Sequence, residues 1–143
     1  MTLYLDTSAL VKLYVEEEGS GLVRQGVEEA RFVSTSAIAY VEARAAFARR
    51  RSERTLTRPA HRRVIDLLDA DWPRYMLLDV TDAVIRQAVR LTDLHGLRAY
   101  DAIHLASAGL VRERFPEGVV FASWDARLDT AASREGLGTL RNR

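Results

Sequence analysis

Short apolar runs alternate along the chain with longer stretches in which apolar residues recur every three or four positions. The short runs indicate β-strands, and the periodic stretches indicate helices with one buried face. The predicted strands cover residues 3–5, 31–35, 75–78 and 119–122. The predicted helices cover approximately residues 9–14, 22–30, 37–51, 58–71, 81–95, 99–114 and 126–135. Strands and helices are therefore expected to alternate along the chain.

Capping and turn residues lie between several of these segments. Ser36 precedes the long third helix and is predicted to be its N-cap, Pro73 marks a turn, and Gly96 is predicted to end a helix. We predict an α/β fold with a single domain over residues 1–143. It is expected to be a three-layer sandwich in which helices flank a mostly parallel central sheet of about four to five strands. Such sheets bind ligands beyond the carboxyl ends of their strands.

The composition is that of a folded globular protein. Of the 143 residues, 48% are hydrophobic and 29% are charged, which provides enough apolar material for a core. The chain has no cysteine, which excludes disulfides and thiolate metal sites. Its three histidines lack the spacing of zinc ligands. A metal site in this protein would therefore depend on oxygen ligands.

Neither a membrane span nor a targeting segment is expected. The longest uncharged runs, residues 32–41 and 102–111, have ten residues each, whereas a membrane span needs roughly 18 or more. No basic N-terminus precedes an apolar segment. We therefore expect a cytoplasmic protein that makes no membrane contact.

The net charge of +1 conceals an uneven distribution. Residues 44–63 contain eight arginines and one glutamate, whereas the segments on either side are net negative. A basic stretch inside a nearly neutral protein is either a contact for a polyanion or a solvated helix face. The sequence leaves both interpretations open.

Several common catalytic motifs are absent. The chain has no GxxxxGK[ST] phosphate loop and no GxSxG elbow, and the glycines at 19–21 follow an acidic run rather than a strand. A receiver-type phosphoacceptor domain would need an acidic pair after the first strand and a late lysine. The chain instead has Asp6-Thr7 and no lysine after Lys12. A nucleotide cofactor, covalent acyl transfer and phosphoacceptor function are therefore disfavoured.

Four acidic residues occupy positions where a carboxylate is costly. Asp6 and Asp125 follow predicted strands, and Glu42 and Asp101 lie among apolar residues of predicted helices. Singly, each has an ordinary explanation: the strand-end aspartates could be N-caps, Asp101 could complement its helix dipole, and Glu42 could pair with a buried arginine. Together they would meet in one crevice, where carboxylates repel one another and must protonate or bind cations.

Oxygen ligands without cysteine or suitably spaced histidine select Mg²⁺ or Mn²⁺. Such ions support phosphodiester hydrolysis because they activate water and stabilise the leaving oxygen. The basic stretch at residues 44–63 would then attract a phosphate backbone. The four acids and the basic stretch together predict a metal-dependent nuclease.

The four acids occur in four motifs: LYLDTSAL at 3–10, STSAIAYVE at 34–42, LRAYDAIHLA at 97–106 and FASWDARL at 121–128. Together these motifs resemble those of PIN-domain ribonucleases, specifically the VapC-type toxins of type II toxin–antitoxin pairs. They occur in family order and at family spacing, and the match spans nearly the whole chain. The resemblance implies a catalytic metal site formed by Asp6, Glu42, Asp101 and Asp125.

The resemblance has further implications for activity and partners. It implies a Mg²⁺- or Mn²⁺-dependent endoribonuclease, often a homodimer, that a cognate antitoxin protein inhibits by placing a segment over the active site. Thr7 and Ser123 are expected to be supporting polar groups near the metal or the phosphate. Trp124 departs from the small residue common at its position and is expected to alter the shape beside Asp125.

Several neighbouring residues have more than one interpretation. Arg98 could neutralise an acid or contact phosphate, and the sequence does not decide between them. We expect His104 to pack in the core rather than to bind metal, and Asp129 to be solvated rather than a fifth site acid. Further candidate RNA contacts are Arg49, Arg50, Arg51 and Arg54.

An alternative function belongs to a different class. The chain could be a PIN-like RNA- or protein-binding module without turnover. The presence of all four acids disfavours this alternative, because a degenerate site usually lacks one of them. RNA binding without cleavage in both Mg²⁺ and Mn²⁺ would favour it.

Overall fold

The computed structural model describes residues 1–142. Within that range the strands are β1 (Thr2–Leu5), β2 (Phe32–Ser36), β3 (Met76–Leu78), β4 (Val119–Ala122) and β5 (Gly138–Thr139). The α-helices are α1 (Thr7–Lys12), α2 (Ser20–Glu29), α3 (Ala39–Ser52), α4 (Arg58–Asp71), α5 (Asp82–His95), α6 (Ala99–Arg114) and α7 (Ala126–Arg134). Short 3₁₀ helices cover Trp72–Arg74 and Leu140–Asn142. None of the helices in this part of the chain combines the length and apolar character needed to cross a bilayer.

Helix boundaries agree well with the prediction where a capping residue is present. The Thr57 hydroxyl accepts a hydrogen bond from the Ala60 amide and starts α4, and Thr81 starts α5 in the same way. Gly96 adopts a left-handed conformation with φ of 64° and ends α5, as predicted. Because these local signals do not depend on distant contacts, they can be recognised in the sequence.

The five strands form one parallel sheet in the order β3-β2-β1-β4-β5. The chain builds outward from β1 through β2 to β3, then returns to the other side of β1 to add β4 and β5. The direction of building therefore reverses between β1 and β4, where open α/β sheets bind ligands. The predicted three-layer α/β sandwich is confirmed, with a sheet that is wholly parallel.

The core lies on both faces of this sheet because successive side chains of a strand point to opposite faces. Leu3 and Leu5 of β1 are buried with apolar residues of α1, α2, α3 and α4. Tyr4 points the other way and is buried with residues of α5, α6 and α7. Its ring stacks on Phe121 of β4, with 5.6 Å between centroids. Helices thus cover each face and fix the two strands that border the ligand crevice.

One sequence prediction of local structure is wrong, and one strand was not located in the sequence. Ser36 does not cap α3, whose N-cap position is Ile38. Ser36 instead pairs with Leu78 in the ladder between β2 and β3, which keeps its backbone extended. The strand β5 was not predicted, because two residues beginning with Gly138 carry no hydrophobic pattern. It forms only through its pairing with β4.

Candidate active site

A cleft lies beyond the carboxyl ends of β1 and β4. The four predicted acids all line it, and so do three of the residues expected beside them: Thr7, Arg98 and Trp124. His104, which was expected in the core, and Ser8, which was not predicted, also line it. The complete lining is Asp6, Thr7, Ser8, Glu42, Arg98, Asp101, His104, Trp124 and Asp125. Of the residues predicted to support the site, Ser123 is buried behind the cleft rather than lining it. The structure therefore brings together acids from four separate motifs.

Asp6 is both an N-cap and a residue of the cleft. Its side chain is buried, and its Oδ1 accepts hydrogen bonds from the Ala9 amide at 2.9 Å and from the Ser8 hydroxyl at 2.6 Å. Ser8 in turn accepts a hydrogen bond from the Trp124 amide at 3.0 Å. Ser8 thus joins the start of α1 to the loop after β4. This role of Ser8 was not predicted, although a serine two residues after a capping aspartate is a recognisable signal in the sequence.

Asp125 has the same double role at the start of α7. Its Oδ1 accepts a hydrogen bond from the Leu128 amide at 2.9 Å. Its own amide donates to the Ser123 hydroxyl at 3.0 Å, so Ser123 orients the turn that presents the carboxylate. The ordinary N-cap explanation is therefore correct for Asp6 and Asp125, and both nevertheless line the cleft.

Glu42 of α3 is held by a hydrogen-bond chain that runs from the core to the cleft. Its Oε1 accepts hydrogen bonds from the Thr7 hydroxyl at 2.8 Å and from His104 Nε2 at 2.9 Å. The Nδ1 atom of the buried His104 lies 2.9 Å from the Tyr4 hydroxyl. The partner of Glu42 is thus a histidine rather than a buried arginine, and His104 positions a site acid in addition to packing in the core.

The environment of Glu42 favours its ionised form. Burial raises the pKa of Glu42. The hydrogen bond and charge of His104, together with the hydrogen bond from Thr7, lower the pKa by more than burial raises it. The pKa of Glu42 therefore lies below its ordinary value, and the carboxylate is ionised at neutral pH.

Asp101, in the first turn of α6, faces two other acids across the cleft. Burial raises the pKa of Asp101, and the negative charges of Asp125 and Asp6 raise it further. The charge and hydrogen bond of Arg98 lower it, but the net result is a pKa above the ordinary value. The three aspartates therefore interact electrostatically, and the cleft carries excess negative charge.

Arg98 bridges two of these acids. Its Nε donates to Asp101 Oδ2 at 3.2 Å, and its Nη2 donates to Asp125 Oδ2 at 3.3 Å. Of the two roles that the sequence left open for Arg98, the structure thus shows the neutralisation of acids.

Asp129 does not occupy the solvated position that the sequence analysis predicted. It is buried, with 6% of its surface exposed, and it does not line the cleft. Its Oδ2 lies 3.5 Å from Arg141 Nη2 and accepts a hydrogen bond from Asn142 at 3.4 Å. Its Oδ1 is buried without a hydrogen-bond partner among residues 1–142. Burial raises its pKa.

Trp124 forms one wall of the cleft and is accommodated by a glycine. The Lys12 ammonium and the Arg141 guanidinium lie 5.0 and 5.5 Å from its ring centroid. A Cβ atom at Gly19 would lie 2.5 Å from the indole, and Gly19 has a φ of 91°. Any other residue at position 19 would therefore clash and be strained. The bulky tryptophan is compatible with the fold because the segment opposite it has no side chain there.

The arginines of the arginine-rich stretch do not all lie on one surface. Arg49 and Arg50 line a groove together with Lys12, and this groove shares Thr7 and Ser8 with the cleft. The other two candidate RNA contacts are exposed and do not line the groove; they are Arg51 and Arg54. Glu17 and Glu53 line the groove as well, and Glu17 pairs with both Lys12 and Arg50. A mixed-charge groove with a small excess of basic residues thus adjoins the acidic cleft.

The donor set of the cleft fits a hard divalent cation. Its carboxylates provide only oxygen atoms, which suit Mg²⁺ and Mn²⁺. Burial first, and then the charges of Asp125 and Asp6, raise the pKa of Asp101, so a cation that paired with these acids would favour the ionised form of Asp101. Among residues 1–142, no group of three or more histidine, aspartate or glutamate side chains is arranged to hold an ion as the structure stands. A cation would therefore have to draw the acids together.

Comparison with known proteins places the chain in a family. The PIN domain model matches residues 3–132. Ribonuclease VapC45 of Mycobacterium tuberculosis is 36% identical over 140 residues, which cover 94% of this chain and 91% of that protein. The structure of FitAcB from Neisseria gonorrhoeae superimposes with a TM-score of 0.69 at 18% identity, covering 96% of this chain and 95% of that one. The structure of VapBC-5 from Mycobacterium tuberculosis, described as a member of the VapBC family of toxin–antitoxin systems, superimposes with a TM-score of 0.59 at 18% identity. The match covers 96% of this chain and 94% of that one. The chain belongs to the PIN domain family.

Proposed function

We propose that this chain is a divalent-metal-dependent endoribonuclease that acts as the toxin of a toxin–antitoxin pair. One observation carries the proposal: in a PIN-domain chain, Asp6, Glu42, Asp101 and Asp125 line one cleft at the switch point of the sheet. The name of the 36% identical relative, a ribonuclease, supports the activity. Mg²⁺ or Mn²⁺ is the proposed cofactor, held by these four acids.

The chain's own residues prepare the cleft for this chemistry. The capping hydrogen bonds use Oδ1 of Asp6 and of Asp125, which leaves Oδ2 of each for interactions within the cleft. Thr7 and His104 fix the ionised Glu42. Asp6, Glu42, Asp101 and Asp125 would hold a divalent ion, whose chemistry would be to activate water at neutral pH and to stabilise charge at the phosphate. The capped helices hold the carboxylates in place before substrate arrives, which reduces the reorganisation needed during the reaction.

Removal of divalent ions by EDTA should abolish cleavage of labelled RNA, and excess Mg²⁺ or Mn²⁺ should restore it. The reason is that the carboxylates alone repel a phosphodiester and cannot activate water at neutral pH. Gel analysis of the products measures the effect. Cleavage that persists in EDTA would contradict the proposed mechanism. RNA binding without cleavage in both ions would instead favour the PIN-like binding module without turnover.

The groove beside the cleft is the proposed path of the RNA backbone. Arg49 is exposed and forms no ion pair within residues 1–142, whereas the Arg50 guanidinium lies 2.8 Å from Glu17. Because Thr7 and Ser8 line both the groove and the cleft, an RNA strand in the groove would enter the cleft directly. We therefore narrow the candidate RNA contacts on α3 to Arg49 and Arg50.

Replacement of Arg49 by alanine should weaken RNA binding and reduce the slope of log affinity against log salt by about one. Arg51→Ala is the matched control, because Arg51 lies on the same helix and carries the same charge but does not line the groove. Fluorescence anisotropy at several salt concentrations, with catalytically inactive protein, measures both slopes. Equal slopes for the two variants would show that the groove does not bind the backbone.

The toxin role requires a partner. An antitoxin is supported by VapBC-5, a fold relative described as part of a toxin–antitoxin system, and by the VapC name of the 36% identical relative. We propose that such a protein covers the cleft and, from the family resemblance, that the chain forms a homodimer. A small DNA-binding protein encoded just upstream would support the pairing, and light scattering of the purified chain would measure its oligomeric state.

A further inference from the structure

Arg98 is the arginine that lines the cleft, and the ion pairs that it forms within residues 1–142 are those with Asp101 and Asp125. It lies at the N-cap position of α6, where its backbone is extended. Its side chain is 80% exposed. Because exposed ion pairs contribute little to stability, the side chain can leave them at small cost.

The oxygen atoms that Arg98 contacts are those that a metal ion would need. Asp125 uses Oδ1 to cap α7, so Oδ2 is its free atom, and Arg98 Nη2 binds that Oδ2. Arg98 Nε likewise binds Oδ2 of Asp101. An ion that approaches Asp125 or Asp101 at Oδ2 meets the guanidinium there, so the ion and Arg98 compete for the same oxygen atoms.

The charge of the cleft explains why a cation belongs there when no ion is bound. Asp101, Asp125 and Asp6 interact unfavourably with one another, because like charges at short range in a partly buried site are poorly screened. The guanidinium places one positive charge between two of the three carboxylates. It thereby offsets part of the repulsion between the acids while no divalent ion is bound.

We propose, on the basis of the function proposed above, that Arg98 is an internal counter-cation that competes with the divalent ion for Asp101 and Asp125. In the metal-free protein it bridges the two carboxylates and partly neutralises them. Binding of the ion would release the guanidinium from the two Oδ2 atoms. Arg98 is thus a positioning residue that sets the metal affinity of the site.

Calorimetric titration of the full chain with MnCl₂ tests this role. Arg98→Ala should bind Mn²⁺ about three- to tenfold more tightly than the wild type, because both the competitor and its repulsion of the ion are removed. Arg98→Lys should lie between the two, since an ammonium keeps the charge but lacks the fork that bridges two carboxylates. Arg86→Ala, which removes an exposed arginine of α5 outside the cleft, should bind Mn²⁺ like the wild type.

Thermal denaturation provides a second readout that does not depend on activity. Arg98→Ala should melt at a lower temperature than the wild type in EDTA, because the acids lose their counter-cation. The melting temperature of Arg98→Ala should rise by more than that of the wild type when Mn²⁺ is added, because the variant binds the metal more tightly. A variant that merely unfolded more easily would show the first effect without the second.

The outcomes separate this inference from the proposed function. Equal or weaker Mn²⁺ affinity in Arg98→Ala, with binding that is lost in Asp101→Asn, would overturn the competition and leave the metal-dependent function intact. If the wild type binds no Mn²⁺, or binds it equally well in Asp101→Asn, both the competition and the proposed metal site are wrong.

Discussion

Replacement of Asp6 by asparagine should reduce RNA cleavage at least about a thousandfold, while the protein stays folded. The proposed loss follows from removing one carboxylate charge from the metal site, since the ion contributes several kcal/mol to transition-state stabilisation. The fold should survive because Asp6 also caps α1 through Oδ1, and asparagine caps helices about as well as aspartate. Single-turnover cleavage assays and thermal denaturation measure the two effects separately.

Two further variants sharpen this experiment. Asp6→Ala should lose cleavage and also about 1 kcal/mol of stability, because alanine cannot accept the hydrogen bond from the Ala9 amide. Asp93→Asn, on the exposed surface of α5, should cleave like the wild type. Full activity of Asp6→Asn would exclude Asp6 from the catalytic site.

Replacement of His104 by alanine should destabilise the protein by about 3 kcal/mol and reduce cleavage roughly 10- to 100-fold. His104 is buried between Tyr4 and Glu42, so its loss opens a cavity, removes a partner of the Tyr4 hydroxyl and releases one hydrogen bond to the site acid. Denaturant unfolding gives the free energy, and single-turnover assays with saturating Mn²⁺ give the cleavage rate.

A double-mutant cycle distinguishes the hydrogen bond from the packing. His104→Ala and Glu42→Gln should be coupled in stability, because the two residues form one hydrogen-bonded unit with Thr7. His104→Gln should be milder than His104→Ala, since its amide can still donate to the carboxylate. Additive effects of the two changes would show that His104 and Glu42 do not act on each other.

The sequence predicts the fold well because its signals are local. The bounds of α6 and β4 agree with the prediction, since an apolar run or a periodic stretch identifies each. The four acids are also identified by local position, at strand ends and on apolar helix faces. The parallel pairing of β1 with β4 then places Asp6 and Asp125 at one edge of the sheet, and the packing of α3 and α6 adds Glu42 and Asp101 to the same cleft.

What the sequence could not show depends on long-range contacts. Glu42 and His104 are 62 positions apart, and no local pattern pairs them. The burial of Asp129 also depends on long-range contacts. The strand β5 brings Leu140–Asn142 back toward α7, where Arg141 and Asn142 contact the Asp129 carboxylate. Because that strand was not predicted, the cover over Asp129 could not be predicted either.

The unequal lengths of the strands have a consequence for association. The edges of the sheet are β3, with three residues, and β5, with two, while the longer strands are interior. Short edges offer few unpaired backbone groups, which protects a sheet against open-ended strand addition and aggregation. A second copy or an inhibitor that binds this protein must therefore gain most of its contact area from helices and loops rather than by extending the sheet.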